Sequence, residues 1–501
     1  MRLMMILPLL LAAPSAGAGA DSVPEWQARA MAERVRLSQD TQRPLYHFLP
    51  PSNWMNDPNG LVHFKGEYHL FYQHNPQGAA WGNMTWGHAV SKDLVHWRDL
   101  PYALRPDADY DREGVFSGCC VVDNGLPTIV YTGVQPEVQC VATSRDMLVW
   151  TKSPNNPVIP GPPPGLEVTG FRDPYVWREG KEWRAVVGSG IKGRGGAILL
   201  YRSKDLRTWD FVGPALVGDP GLGDMWECPN LFRLGRKWVL IVSTLGRAHY
   251  FVGDFADDRF VPESDGPLDN GGALYAPQVF PDNRGRRILF GWLWEQRAGA
   301  ETHGWQGVQS LPRVLTLGED GSLRYAPARE VEKLRGARTR VERPQLAPDK
   351  DTPLPAIAGD CLEIQADFRV KEGRCGLVVR RSPDAEEGTR IVYDAGTSTL
   401  SVDRSRSSTD PRVVRDVRSA PLALGKDEAL RLRVFVDRSV IEVFANERVV
   451  LTSRVYPVRS DSLGVAAFGS AASTVLERAD AWTMEAIWPR GEGPTERVSS
   501  K

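Results

Sequence analysis

With 501 residues the chain can hold two domains with separate cores, and at 42% hydrophobic and 25% charged residues it has the balance of a globular protein. A formal net charge of −1 argues against the basic surface a nucleic-acid partner requires. Sixteen tryptophans suit a sugar-binding protein, but Trp also fills the cores of all-β proteins, so their number alone selects neither role.

The chain opens with Met1-Arg2, an apolar run over 3–13 and small residues ending Ala18-Gly19-Ala20. A basic start, a short apolar stretch and an A-x-A-like end predict a signal peptide over 1–20. The run is too short to span a bilayer, and no later segment is long and apolar enough. The expectation is therefore an exported chain, extracellular or periplasmic, with no membrane contact once the signal is removed. An N-terminal extension over 21–45 follows, with a short helix predicted across 24–37. Six cysteines form no C-x-x-C pair and no His/Cys cluster, so no metal site is expected. An exported protein can hold a disulfide, and Cys361 and Cys375 are one possible pair.

From residue 46 onwards two patterns alternate. Three short acidic islands each set a carboxylate in a turn-prone Pro or Gly/Asn setting beside an aromatic residue: Trp54-Met55-Asn56-Asp57-Pro58-Asn59-Gly60, Phe171-Arg172-Asp173-Pro174 and Trp226-Glu227-Cys228-Pro229-Asn230. Each precedes a strand and a hairpin. A turn sequence recurs between them as Ser91-Lys92-Asp93-Leu94-Val95-His96-Trp97, Ser144-Arg145-Asp146-Met147-Leu148-Val149-Trp150 and Ser203-Lys204-Asp205-Leu206-Arg207-Thr208-Trp209, at near-equal spacing. A further unit begins at Tyr275-Ala276-Pro277-Gln278. The region 46–318 thus reads as five units of four strands, which predicts an all-β chain beginning with a five-bladed β-propeller. In that fold the islands start the innermost strands and meet at one mouth of the central channel. A charged linker over 319–345 leads to alternating strands over 346–489, predicted as an antiparallel β-sandwich, and a tail over 490–501.

Gathered carboxylates suit reactions at an acetal carbon: one attacks or stabilises the cation, one protonates the leaving oxygen, and aromatic faces bind sugar. Taken singly, Asp57-Pro58-Asn59-Gly60 is an ordinary turn, Arg172-Asp173 an ordinary ion pair and Glu227 an ordinary rim carboxylate.

Together the islands resemble glycoside hydrolase family 32, the invertase, exo-inulinase and levanase family. So do Phe71-Tyr72-Gln73-His74-Asn75-Pro76, Trp81-Gly82-Asn83-Met84, Trp86-Gly87-His88, Phe116-Ser117-Gly118, the run from Gly304-Trp305 to Arg313, and Asp437-Arg438-Ser439-Val440-Ile441-Glu442. The resemblance implies retaining cleavage of terminal β-fructofuranosides in sucrose, inulin or levan, with no metal and no cofactor. Asp57 matches the nucleophile, Glu227 the acid/base and Asp173 the transition-state stabiliser. Asn56, Gln73, Trp81, Phe116, Ser117, Arg172, Cys228 and Trp292 are candidate substrate contacts. Trp226 and Cys228 are expected to give Glu227 apolar cover. His47, His74 and His88 read as structural.

The sequence departs from the family pattern at Asn230, where Asp is usual, at Cys119-Cys120, and at Gly271-Gly272-Ala273-Leu274, where an acidic residue is common. Fructosyl transfer by the same covalent chemistry, a non-catalytic sugar-binding propeller, and a glycosidase for arabinosides or xylosides stay open at this point. So do monomer against dimer and the role of the sandwich.

Overall fold

The structure, a computed structural model, describes residues 25–488, so the expected signal peptide and the 490–501 tail lie outside the described residues. The chain is mostly β, and its first large body contains five sheets. Each is a meander entered by a lead strand: Asn53–Phe64, Gly114–Asp123, Val168–Glu179, Glu227–Leu234 and Leu274–Pro281. The lead strands touch in cyclic order, and the last returns to the first. The segment around Gly307 fastens the ring: Trp305–Gln306 pairs in parallel with Asn53 and Trp54, while Val308–Gln309 pairs with Trp292 and Leu293.

The recurrent turn joins the third and fourth strands of three sheets. Asp93, Asp146 and Asp205 each accept two backbone N–H groups from residues two and three positions on. A short acceptor side chain tied to its own backbone is the physical reason for Asp here. Leu94, Met147 and Leu206 then sit at φ 68°, 64° and 64° and are buried. Core burial of these apolar residues offsets the left-handed backbone.

The second body is a pair of six-stranded antiparallel sheets around a shared apolar core containing Ile364, Leu377, Ile391, Val434 and Val443. Its boundary differs from the sequence expectation. Leu323–Pro327 pairs with Arg313–Leu317, so the fifth sheet runs past 318. Arg335–Glu342 pairs with Val475–Met484 as an edge strand of the sandwich. The charges that suggest a linker are edge-strand charges, with Arg338 and Arg340 both bonded to Asp480. The chain passes from one body to the other through the 3₁₀ segment Arg329–Leu334, whose Val331 and Leu334 are themselves buried.

The N-terminal extension forms the helix Glu25–Leu37, which docks on the first sheet through Arg34, bonded to Asp99 and stacked on Trp488. All six cysteines are free thiols, so the possible Cys361–Cys375 pair is not formed. Those two residues lie on different sheets of the sandwich, with Cys361 directed at the Asp437 carboxylate. Among the described residues no helix is long and apolar enough to cross a membrane.

Candidate active site

Every lead strand carries one extra residue at the same level of the ring. The register shifts fall between Met55 and Pro58, Phe116 and Gly118, Arg172 and Tyr175, Glu227 and Asn230, and Tyr275 and Gln278. A bulge of this kind re-aims side chains that strict alternation would send into the sheet. In three of the five strands a proline lies within it (Pro174, Pro229 and Pro277), where a missing N–H costs no ladder bond, and in the first strand Pro58 closes it in register with Tyr72. Asp173, Cys228 and Ala276, each preceding its proline, are held at φ 64°, 47° and 46°.

The five bulges produce two tiers of side chains. The inner tier is Asp57, Ser117, Asp173 and Cys228. Ser117 donates to Asp57 Oδ2 at 2.6 Å, and Asn56 donates to Asp57 Oδ1 at 2.9 Å. The Cys228 thiol lies 3.5 Å from Asp57 Oδ2 and 3.6 Å from Asp173 Oδ2, and its backbone N–H donates to the same Asp173 oxygen at 3.0 Å. Burial raises the Asp57 carboxyl above its ordinary range, opposed by the Ser117 and Asn56 hydrogen bonds. Burial pushes Asp173 up to about 7, with Asp57 and Glu227 adding to the rise and Arg172 opposing it. Burial, reinforced by the carboxylates, keeps the Cys228 thiol protonated, so it can donate to either neighbour.

The outer tier is one residue earlier on each strand: Phe116, Arg172, Glu227 and Tyr275, with Asn56 beside Asp57. Arg172 forks between two carboxylates, with Nη2 on Glu227 Oε1 at 2.8 Å and Nη1 on Glu137 Oε1 at 2.8 Å. Glu137 also accepts the Phe171 N–H at 2.6 Å, which ties the fork to the lead strand. The Tyr275 hydroxyl donates to Glu227 Oε2 at 2.5 Å. Burial and the adjacent carboxylate raise the Tyr275 phenol, which therefore keeps its proton. The Glu227 side chain is 32% exposed whereas Asp173 is buried, so the outer tier faces the mouth and the inner tier the channel.

The connections between second and third strands ring the mouth. They carry Trp81 in the first sheet, Glu137 in the second, Leu245 in the fourth and Trp294 in the fifth. Trp81 is exposed and meets Phe116 edge-on at 6.0 Å, forming an aromatic wall. Trp54 bonds Asn56 Oδ1 through its indole and meets Trp292 edge-on at 5.7 Å.

Several residues have uses the sequence does not suggest. Trp226 is fully buried, bonded to Leu222 O and tilted against Phe251, so it fills the sheet core instead of covering Glu227. The ring beside Glu227 is Tyr275. Gln73 is buried and donates to Val115 O, holding the next lead strand beside Phe116. Gln309 does the same for Asn56 O, and Gln139 for Phe171 O. Asn230 donates to Cys228 O and Pro277 O and accepts from Val279 N. A carboxylate cannot donate to two carbonyls, which is a physical reason for Asn at this position. His47, His74 and His88 each bond neighbouring protein groups: Asp437 and Glu442, Trp54 O, and His69. Glu137 has no motif around it and is invisible in sequence. Tyr275 carries a signal, because Tyr275-Ala276-Pro277-Gln278 repeats the residue–Pro bulge of the acidic islands. Among the described residues no group of three or more His, Cys, Asp or Glu side chains is placed to hold a metal.

Residues 47–327 match the N-terminal domain of glycosyl hydrolases family 32, and residues 330–483 match that family's C-terminal domain. The chain belongs to glycoside hydrolase family 32. As a family 32 protein it is an enzyme, a glycoside hydrolase. It is 36% identical over 493 residues to the sucrose-6-phosphate hydrolase of Zymomonas mobilis, covering 90% of this chain and 94% of that one. It is also 36% identical over 495 residues to the levanase of Bacillus subtilis, covering 89% of this chain and 71% of the levanase. Its fold superposes on fructan 1-exohydrolase IIa from Cichorium intybus with a TM-score of 0.82 at 28% identity, over 89% of this chain and 98% of that one.

Proposed function

We propose that this family 32 chain is a secreted, retaining β-fructofuranosidase that removes terminal non-reducing fructose from sucrose and fructans. The ring of five sheets is read as a five-bladed propeller whose channel mouth is the active site, followed by a β-sandwich. The observation that carries the reading is the two-tier cluster. Half-buried Asp57 and buried Asp173 lie on either side of Cys228, and Glu227 stands on the solvent side, gripped by Arg172 and Tyr275. The curated relatives are named for sucrose-6-phosphate and levan, and the chicory enzyme for fructan and, in one complex, 1-kestose.

In this reading Asp57 attacks the anomeric carbon and forms a fructosyl ester. Ser117 and Asn56 hold one oxygen each, so the carboxylate needs no reorientation to attack. Glu227 protonates the departing oxygen and then takes a proton from the water that resolves the ester. Its two oxygens have different neighbours. Arg172 holds Oε1 as an acceptor, while the Tyr275 hydroxyl can donate to an ionised Oε2 or accept from a protonated one, and so serves both half-reactions. Asp173 receives fructose hydroxyls and stabilises positive charge on the ring as the bond breaks. Trp81 and Phe116 wall the fructosyl ring. No step calls for a metal or an organic cofactor. The apolar run over 3–13 supports export.

Incubating purified protein separately with sucrose, inulin and levan tests the function. Free fructose from all three is expected, and Asp57→Ala and Glu227→Ala should each abolish its release. Short oligosaccharides without free fructose would overturn terminal cleavage, and full activity in either variant would overturn the assigned roles.

A further inference from the structure

The two tiers give the mouth a direction. Groups that would hold the fructosyl ring lie inward, around Asp57 and Asp173. The acid that would protonate the leaving oxygen lies outward, so the leaving group departs past Glu227. An aromatic track starts there. Tyr275, bonded to Glu227, meets Trp292 edge-on with ring centres 6.4 Å apart, and Trp292 meets Trp294 at 6.5 Å.

Trp294 is 38% exposed but fixed in place. Its indole N–H donates to Gly272 O at 2.8 Å, and the Gln296 side chain donates to the same carbonyl at 2.7 Å. Gln296 is held in turn by the buried Arg404 of the sandwich. Gly272 has φ 79°, and a side chain there would press on Arg418, also of the sandwich. Backbone bonds from Ala298 to Arg412 and from Val414 to Gln296 complete this wall beside the mouth. The fourth sheet's rim turn Leu245-Gly246 comes next to Trp294, since a side chain on Gly246 would stand 3.9 Å from its ring, and in that turn Leu245 is 65% exposed at φ 50°. A leucine in a left-handed turn with its side chain in water is unfavourable both sterically and by solvation unless something covers it.

We infer that Trp294 and Leu245 form a binding site for a further sugar ring of the leaving group, beyond the one that Tyr275 and Trp292 border. The inference deepens the fructosidase reading above and rests on it. The ligand is a fructan oligosaccharide, because sucrose offers a single sugar on that side of the scissile bond. A pre-ordered aromatic face binds the apolar C–H face of a sugar without the ordering cost a mobile side chain would add. Trp294 is a specificity residue and does not touch the reacting atoms.

The test is chain-length dependence. kcat/KM is measured on sucrose, 1-kestose and longer inulin-type oligosaccharides for the wild type, Trp294→Ala, Trp294→Phe and Leu245→Ser. The ratio of longer substrates to sucrose should fall about tenfold in Trp294→Ala, less in Leu245→Ser, and little in Trp294→Phe. Equal losses on all substrates would mean that Trp294 only packs the wall. An unmoved ratio in Trp294→Ala and Leu245→Ser would overturn the inference. Should Trp294→Ala fail to fold, Leu245→Ser, on a surface turn, decides alone. A wild-type protein inactive on every fructoside would overturn the fructosidase reading and this one with it. An active wild type with an unmoved ratio overturns this one only.

Discussion

Glu442, at the seam between the two bodies, and Asp57 and Asp173, at the channel mouth, hold their protons in opposite ways. At the contact between propeller and sandwich, Glu442 accepts from Arg313 at 2.7 Å, from His47 and from the Leu311 N–H, while Asp437 accepts the N–H groups of Leu45, Tyr46 and His47. Arg313 also reaches Asp269 at 2.9 Å. Burial pushes Glu442 up, but Arg313 and His47 outweigh it and hold the carboxyl below its ordinary range. At the channel mouth the donors that touch Asp57 (Asn56, Ser117 and Cys228) and Asp173 (Cys228) are all neutral, burial outweighs them, and both carboxyls rise. The same chemical group is held as an anion where cations touch it and has its proton affinity raised where only neutral donors do, which is the state the proposed reading assigns to the reacting site.

The strongest way to break that comparison is Asp57→Asn. It should reduce kcat on sucrose by roughly ten-thousandfold or more without destabilising the fold, read by initial rates alongside thermal unfolding. Equal loss of activity and stability would put Asp57 in the structural class instead.

Glu442→Ala should do the reverse, costing about 3–5 kcal/mol of stability by leaving Arg313 and His47 short of a partner, with kcat little changed at a temperature where the variant is folded. The sign can be followed with pH. Glu442 is lowered in the fold, so its contribution is present above its unfolded value of 4.5 and is lost as pH falls through the folded value. Burial alone would lower His47, but Asp437 and Glu442 raise it, so its contribution is present below 6.5 and is lost as pH rises through the folded value. Denaturant unfolding should show the largest wild-type advantage between these limits.

Asp173→Asn sharpens the contrast by about 2 kcal/mol in the opposite direction. A carboxyl raised to about 7 stabilises the fold fully below its unfolded value of 3.8, and that contribution is lost as pH rises through 7. The variant should therefore unfold at higher temperature than wild type at pH 8, lose that advantage below pH 4, and turn over fructosides far more slowly. The smallest effect is that of Ser117→Ala, which removes a hydrogen bond favouring ionised Asp57. The acid limb of kcat/KM should move up by about one pH unit, and a limb that stays in place would separate Asp57 from that ionisation.

Much of this was legible in the chain because it is local. The Ser-x-Asp turns are written in side chains that bond their own backbone, and the residue–Pro pairs mark the bulges of four lead strands before any sheet exists. The acidic islands and their order likewise pointed to family 32. Where sequence reasoning failed, the missing information was a partner distant in the chain. Nothing near Glu137 shows that it braces Arg172. Nothing near Trp226 shows that it faces Phe251, and nothing in 335–342 shows that its charges border a strand from the far end of the sandwich.

The sequence by itself determined which residues turn, which extend and which carboxylates are available, since those preferences act within a few positions of the chain. Only the tertiary structure decided which side chains share the channel, which amides stitch one lead strand to the next, and which carboxylates are saturated. A single extra residue per lead strand turns a side chain from one face to another, and ring closure alone brings five such strands to one axis.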